Sequence, residues 1–240
     1  MGKSLHEQAA EYIRSRVESG EYPVGSQIPT ENELAALLGV SRPTLRQALD
    51  RLSQEGLLTR IKGKGTFVAQ PKILHESTRF ITGYRAESEK NNRVVRTQVC
   101  ANTIERAGDT VAQALGIPVG SKVTRLVRLR HLEGYQNNAP VLYTTLYVPY
   151  KLFPDMSSLD FTDLSFYDVL ETRNLGVRHV MRKLEVVPPP AEVAAQLKIS
   201  PFEPVIYITS TGYTAAEQPI EYTESYYPAQ NSCFLIEIHR

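Results

Sequence analysis

At Gly56 the hydrophobic period of the chain switches from helical to strand-like, and the residues on either side of that switch limit the fold more than any other feature. Upstream, Ser41 is a good helix N-cap and Pro43 falls in a first turn, where a missing N–H does no harm. At about 100° per residue, Leu45, Ala48, Leu49 and Leu52 cluster on one arc, with Arg42, Arg46, Gln47 and Asp50 on the other. Downstream, "LLTRI", "KGKG" and "TFVA" read as strand, tight turn and strand, with Gly63 and Gly65 supplying backbone angles that other residues avoid. Before this segment, Leu5, Ala9, Ile13 and Val17 repeat every four residues and predict a first helix ending near Gly20. Pro23, Gly25 and Pro29 break the chain. Thr30 and Glu33 have capping-box spacing for a second helix, with Leu34, Leu37 and Leu38 as its buried face and Gly39 as its stop. Only two residues, "GV", then precede Ser41. Helix, helix, short turn, helix, hairpin is the order of a winged helix-turn-helix.

That order gives the charges a meaning. A recognition helix meets the major groove with its N-terminal residues, so base- and phosphate-reading side chains belong at its start. Between 42 and 64 six basic residues (Arg42, Arg46, Arg51, Arg60, Lys62, Lys64) face two acidic ones (Asp50, Glu55), a local excess of four in a chain whose formal net charge is +1. Taken alone, this charge run is also what a solvated helix face would carry. The quoted stretch and its lead-in, "YPVGSQIPTENELAALLGVSRPTLRQALDRLSQEGLLTRIKGKGTFV", resembles the DNA-binding domain of the GntR family of bacterial transcription regulators, over residues 5–69. The resemblance implies DNA contacts by Ser41, Arg42, Thr44 and Arg46 on the recognition helix and by Lys62, Gly63 and Lys64 in the wing.

With 240 residues two domains are expected: 1–70 as the winged helix-turn-helix, 71–79 as a polar linker, and 80–240 as a second domain. In that second part a weak internal repeat emerges. Val111, Leu115 and Val123 match Val193, Leu197 and Val205 at an offset of 82, and Pro140, Tyr143, Thr144, Tyr147 and Pro149 match Pro219, Tyr222, Thr223, Tyr226 and Pro228 at 79. Each copy reads as a helix, a strand, a turn and a second strand. Two copies side by side predict one antiparallel sheet with helices on it, an α+β domain. The runs "VTRLVRLR", "NNAPVLYTTLYVP", "LSFYDVLE" and "QPIEYTESYY", in that order, resemble the UTRA ligand-sensing domain of the HutC subfamily. The fold this implies is like chorismate lyase, with a mixed, mainly antiparallel sheet.

Side chains alternate along a strand, so Arg128 and Arg130 share one face and Arg125 the other. Two adjacent guanidiniums repel unless an anion or carboxylates sit between them, and each is a planar fork suited to phosphate or carboxylate. A solvated strand face is the plain alternative. The repeat argues against it, since the matching second-copy positions are Ser210 and Gly212 and the fold does not demand arginine there. Ser165, near a helix start, has two readings: an anion contact or a simple N-cap. The resemblance implies effector contacts by Arg128, Arg130, Ser165, Tyr167, Glu221 and Tyr227, with a phosphorylated sugar as the first expectation and another small organic acid as the second. The chain departs from the family pattern at Thr144, often a glutamate, and at Pro228 and Gln230, where the family has Arg-x-Asp.

The expected function is an effector-controlled transcription regulator, a repressor acting as a homodimer on palindromic operator DNA in the cytoplasm. Cys100 and Cys233 are far apart and unpatterned, so neither a metal site nor a disulfide framework is expected. No cofactor and no catalytic residues are expected. The start lacks a signal-peptide core, and no apolar run approaches a membrane helix. Two alternatives remain: an enzyme of chorismate lyase type, for which the sequence offers no nucleophile–base pair, and an architectural DNA-binding protein without an effector.

Overall fold

The structure, a computed structural model, describes residues 3–69, 72–75, 84–135 and 138–237. The chain divides into two compact units, Met1–Pro71 and Lys72–Arg240. In the first, α1 (Leu5–Glu18), α2 (Glu31–Leu38) and α3 (Arg42–Gln54) precede the hairpin β1 (Leu58–Ile61) and β2 (Gly65–Val68). Thr30 and Glu33 form the capping box of α2, Gly39 ends it in the left-handed region (φ 63°), and Gly56 (φ 77°) follows α3. Leu45, Ala48, Leu49 and Leu52 are all buried, packed with Ala9, Ile13 and Leu34.

Two positions on the expected apolar faces are not in this core. Leu5 and Leu37 are 58% and 62% exposed. Leu5 is the first residue of α1, where a helix has no preceding turn to pack beside, and Ala10 is buried in addition to the expected Ala9 and Ile13. On α2, Ala35 is buried and Leu38 half-buried, so the face is turned by roughly one residue from the expected one.

The second unit is α+β. Its six-stranded sheet has the order β4-β5-β6-β9-β8-β7, antiparallel throughout. The strands are β4 (Val95–Arg106), β5 (Lys122–Leu132), β6 (Pro140–Pro149), β7 (His179–Val187), β8 (Val205–Tyr213) and β9 (Pro219–Pro228). The repeat is real in three dimensions. α5 (Asp109–Leu115) with β5 and β6 is one copy, α7 (Ala191–Leu197) with β8 and β9 the other, and they meet at β6–β9. Even the helix ends agree: Gly116 (φ 62°) and Lys198 (φ 55°), 82 residues apart, take the same left-handed cap. α5 and α7 bury their leucines against one sheet face, in clusters with Val123, Tyr222, Val127 and Tyr143.

The other face carries two separate apolar clusters. One gathers Leu126, Leu146, Phe153, Phe161 and the helix α6 (Phe166–Thr172). The other gathers Leu132, Leu142, Tyr227, Tyr84 of α4 (Tyr84–Lys90) and Ile73. Between them β5 presents Arg128 and Arg130. Part of the segment read as a linker is strand β3 (Ile73–His75), paired in parallel with β10 (Ser232–Phe234); residues 71 and 76–79 of that segment lie outside the described residues. Among the described residues no helix is long and apolar enough to cross a membrane.

Leu45 is fully buried at the centre of the first unit. Leu45→Ala is therefore expected to cost about 2–5 kcal/mol, read as a lower urea midpoint for loss of helical signal.

Candidate functional site

In the first unit the α3 start and the wing tip supply the candidate DNA-binding surface. Ser41 accepts a hydrogen bond from the Thr44 amide (3.3 Å), and the two hydroxyls lie 2.8 Å apart. Arg42, Arg46, Lys62, Gly63 and Lys64 are exposed. Arg46 is held by Glu31 (3.0 Å), and Arg60, which the sequence reading counted but did not assign to DNA, bridges Glu31 (3.3 Å) and Asp50 (2.8 Å). The pairing raises the Arg46 pKa and depresses that of Glu31, the hydrogen bond between them being the main cause in each. Exposed ion pairs of this kind are weak and exchange readily for other partners. The wing is anchored: Gln27 donates to the Lys64 carbonyl (3.0 Å), and a Cβ at Gly65 (φ 124°) would collide with the Gln27 amide. Gly63 (φ 76°) also takes a left-handed angle.

In the second unit all six residues expected to contact an effector line one cavity of about 100 Å³: Arg128, Arg130, Ser165, Tyr167, Glu221 and Tyr227. The sheet builds it. Arg128 pairs in register with Thr144, and Thr144 with Ser225, so a row of polar side chains crosses β5, β6 and β9 between the two apolar clusters. Arg128 and Arg130 are only 9% and 7% exposed. Arg130 donates to Thr144 Oγ1 (2.6 Å) and lies over the Tyr84 ring, 5.4 Å from its centroid. Arg128 Nε is buried and has no acceptor among the described residues. Neither arginine forms an ion pair among the described residues. Burial, reinforced by Arg130, pulls the Arg128 pKa well below the usual guanidinium value, and burial lowers that of Arg130. A guanidinium stays protonated in protein, so these shifts measure stress on the charge rather than its loss.

Opposite sits Glu221, 1% exposed. It accepts from the Tyr167 hydroxyl (2.8 Å) and the Thr223 hydroxyl (3.4 Å), and burial raises its pKa. Burial likewise pushes the Tyr227 hydroxyl to about 12. Ser165 caps α6 by accepting from the Asp168 amide (3.4 Å), so the cap role is realised while the residue also borders the cavity.

The sequence reading missed Tyr84, Arg85, Arg182 and Thr223, which also line the cavity. The repeat held a signal for some of it. Thr144 and Thr223 are equivalent at offset 79, and one serves Arg130 while the other serves Glu221. Gly212, equivalent to Arg130, makes room for the carboxylate: a Cβ there would stand 2.7 Å from Glu221 Cγ. Arg182 had no such signal, because "HVMRKLEVV" reads as an ordinary edge strand. Among the described residues no group of three or more His, Cys, Asp or Glu is placed to hold a metal.

Comparison with known proteins agrees with both halves. The family of bacterial regulatory proteins, gntR family, matches residues 5–68, and the UTRA domain matches residues 90–231. The HTH-type transcriptional regulator YurK of Bacillus subtilis is 30% identical over 217 residues, spanning 90% of this chain and 88% of YurK. The HTH-type transcriptional repressor NagR of the same organism is 27% identical over 232 residues, 96% of this chain and 93% of NagR. The crystal structure of PhnF from Mycobacterium smegmatis superposes with a TM-score of 0.69 at 25% identity, covering 96% of this chain and 98% of PhnF.

Arg128→Met keeps the length of the side chain and removes a buried charge that forms no ion pair among the described residues and is offset only at a distance by Glu221. It is expected to stabilise the protein by about 1–4 kcal/mol in urea titrations without added anions. Unchanged or reduced stability would mean that the charge is already balanced within the fold.

Proposed function

The chain belongs to the GntR family of bacterial regulators and carries a UTRA domain of the HutC type, and on that premise we propose a repressor released or engaged by a small anionic effector held in the second unit. The observation that carries the effector reading is Arg128: a buried guanidinium with an unmatched Nε, next to a second buried arginine, in a cavity. Burying a charge without a partner costs several kcal/mol, and a phosphate or carboxylate oxygen offset by the two forks would remove most of that cost. Glu221, with hydroxyl-bearing neighbours Thr223 and Ser225, suits a ligand that also donates hydroxyl hydrogens. The cavity has about 100 Å³ of free space and opens to solvent, so an anion seated on the two arginines can carry a polar remainder that extends outward. A phosphorylated sugar is the first candidate. The relatives are named as transcriptional regulators and repressors, which favours this reading over an enzymatic one.

In the first unit, Ser41, Arg42, Thr44 and Arg46 are assigned to the major groove and Lys62, Gly63 and Lys64 to the flanking backbone. A single recognition helix reads too few base pairs to select one site, so a homodimer on a palindromic operator follows.

Two experiments test this reading. Arg42→Ala and Arg46→Ala should each weaken operator binding by about 1–3 kcal/mol, while Lys64→Ala should weaken binding to all sequences alike and flatten its salt dependence. Unchanged affinity in all three would remove the DNA assignment. The double variant Arg128→Ala, Arg130→Ala should bind operator normally and lose its response to inorganic phosphate, glucose 6-phosphate and glycerate. Equal calorimetric affinity for these anions in parent and variant would place the effector elsewhere.

A further inference from the structure

β3 is the first element of the second unit, and the chain reaches it directly from the DNA-binding unit. It is a slight element. Its three residues pair with three of β10, through Ile73↔Ser232, Leu74↔Cys233 and His75↔Phe234. The Ile73 amide donates to the Asn231 carbonyl (2.7 Å) and the Leu235 amide to the His75 carbonyl (3.0 Å). Two-stranded pairings of this length are marginal on their own, so the side chains must hold β3 in place. Ile73 and His75 do so, both almost fully buried.

His75 is an unusual anchor. Its ring stacks on Phe234 with centroids 4.7 Å apart, meets Tyr227 edge-on at 4.7 Å, and lies 6.0 Å from Tyr84. Its Nε2 is buried and has no hydrogen-bond partner among the described residues, and aromatic rings pack against the ring face and edge. Burial, assisted by Arg93, drives its pKa to about 3, and the ring is therefore neutral at ordinary pH. Both tyrosines also line the cavity read as the anion site, and the Arg130 guanidinium lies over Tyr84. One layer of aromatic rings separates Arg130 from the strand that leads to the DNA-binding unit.

We propose that His75 is a positioning residue that transmits occupancy of the anion cavity to β3, and through β3 to the DNA-binding unit. The inference rests on the reading of the cavity as an effector site. An anion that engages Arg130 competes with the Tyr84 ring for the same guanidinium. Tyr84 and Tyr227 then present altered surfaces to His75, and the hold on β3 changes with them. A ligand shifts an equilibrium only through such differential contacts. Without the ring, the cavity and the DNA-binding surface both persist, and β3 keeps only the aliphatic contact of Ile73 with the cluster beneath the cavity.

The test uses the full-length protein, operator DNA and three probes: inorganic phosphate, glucose 6-phosphate and glycerate. In the parent, the most effective probe should change operator affinity by about 5–150-fold. In His75→Ala that factor should fall below ~2, while calorimetric affinity for the probe stays within ~3-fold of the parent. His75→Phe keeps the ring and should keep the parent's factor. In the parent alone, saturating probe should alter hydrogen exchange of the Ile73 and Leu235 amides by ~3-fold or more, a readout that needs no variant. A full response in His75→Ala, loss of probe binding in that variant, or unchanged exchange at both amides would each overturn the proposal. A parent that binds none of the probes fails earlier and differently: it removes the effector reading and this inference together.

Discussion

The pairing of β6 with β9 is the seam on which the second unit depends. Tyr147 faces Tyr222 and Tyr143 faces Tyr226 across it, with Thr145 and Glu224 at the centre. Because the repeat makes Tyr143 equivalent to Tyr222 and Tyr147 to Tyr226, the seam lies on an approximate two-fold axis. Symmetry alone would give a sheet with matching ends and no reason for a polar cavity. The copies diverge at the positions that flank the seam on one face. The first has arginines at 128 and 130 where the second has Ser210 and Gly212. Positive charge accumulates on the β5 side, and Gly212 leaves space for Glu221 beside it. The repeat supplies a wide floor, and divergence at two pairs of residues gives the cavity on it its polarity.

That divergence works against stability. A strand face that continued Leu126 and Leu132 with two more aliphatic residues would merge the two apolar clusters above it. Instead the core is split, and a guanidinium nitrogen is buried without an acceptor among the described residues. Each feature costs on the order of 1–3 kcal/mol, a sizeable share of the 5–15 kcal/mol that holds a typical domain together. The rest of the unit is built to bear it. Each of the sheet's six strands is paired to its neighbours, with register shifts at Val99/Ala101, Arg130/His131 and Gly212/Tyr213, and α5 and α7 seal the opposite face with leucine and valine packed on sheet tyrosines.

Legibility in the sequence followed how local each cause was. Caps and stops depend on a few adjacent residues, and Thr30 with Glu33, Gly39, Ser41 and Gly56 all read correctly. The alternation that paired Arg128 with Arg130 is equally local. Leu5 and Leu37 were misassigned because periodicity gives a helix face only to within about a residue, and the packing partner decides the rest. Ser165 had two readings and the structure supplies both a cap and a cavity border. Arg182, Tyr84 and Arg85 carried no visible signal, since they reach the cavity from separate elements far away in sequence. β3 was hidden inside a polar stretch, because its partner, β10, lies more than 150 residues downstream.

The anchoring of the wing has a mechanical consequence. Residues 25–28 run alongside β2: the Gly25 amide donates to the Val68 carbonyl, Val68 to Ser26, and Ile28 to Thr66, while Gln27 holds the Lys64 carbonyl. The hairpin thus has a third strand-like rail on its outer edge, and the connector between α1 and α2 braces the turn that bears Lys62 and Lys64. A braced hairpin cannot swing to follow a groove of different width. On the proposed assignment of these residues to DNA, the separation between the start of α3 and the wing lysines acts as a fixed gauge, and a duplex must match it through its own helical phase and groove geometry. Sequences that deform easily toward that gauge gain affinity without any change in the bases touched.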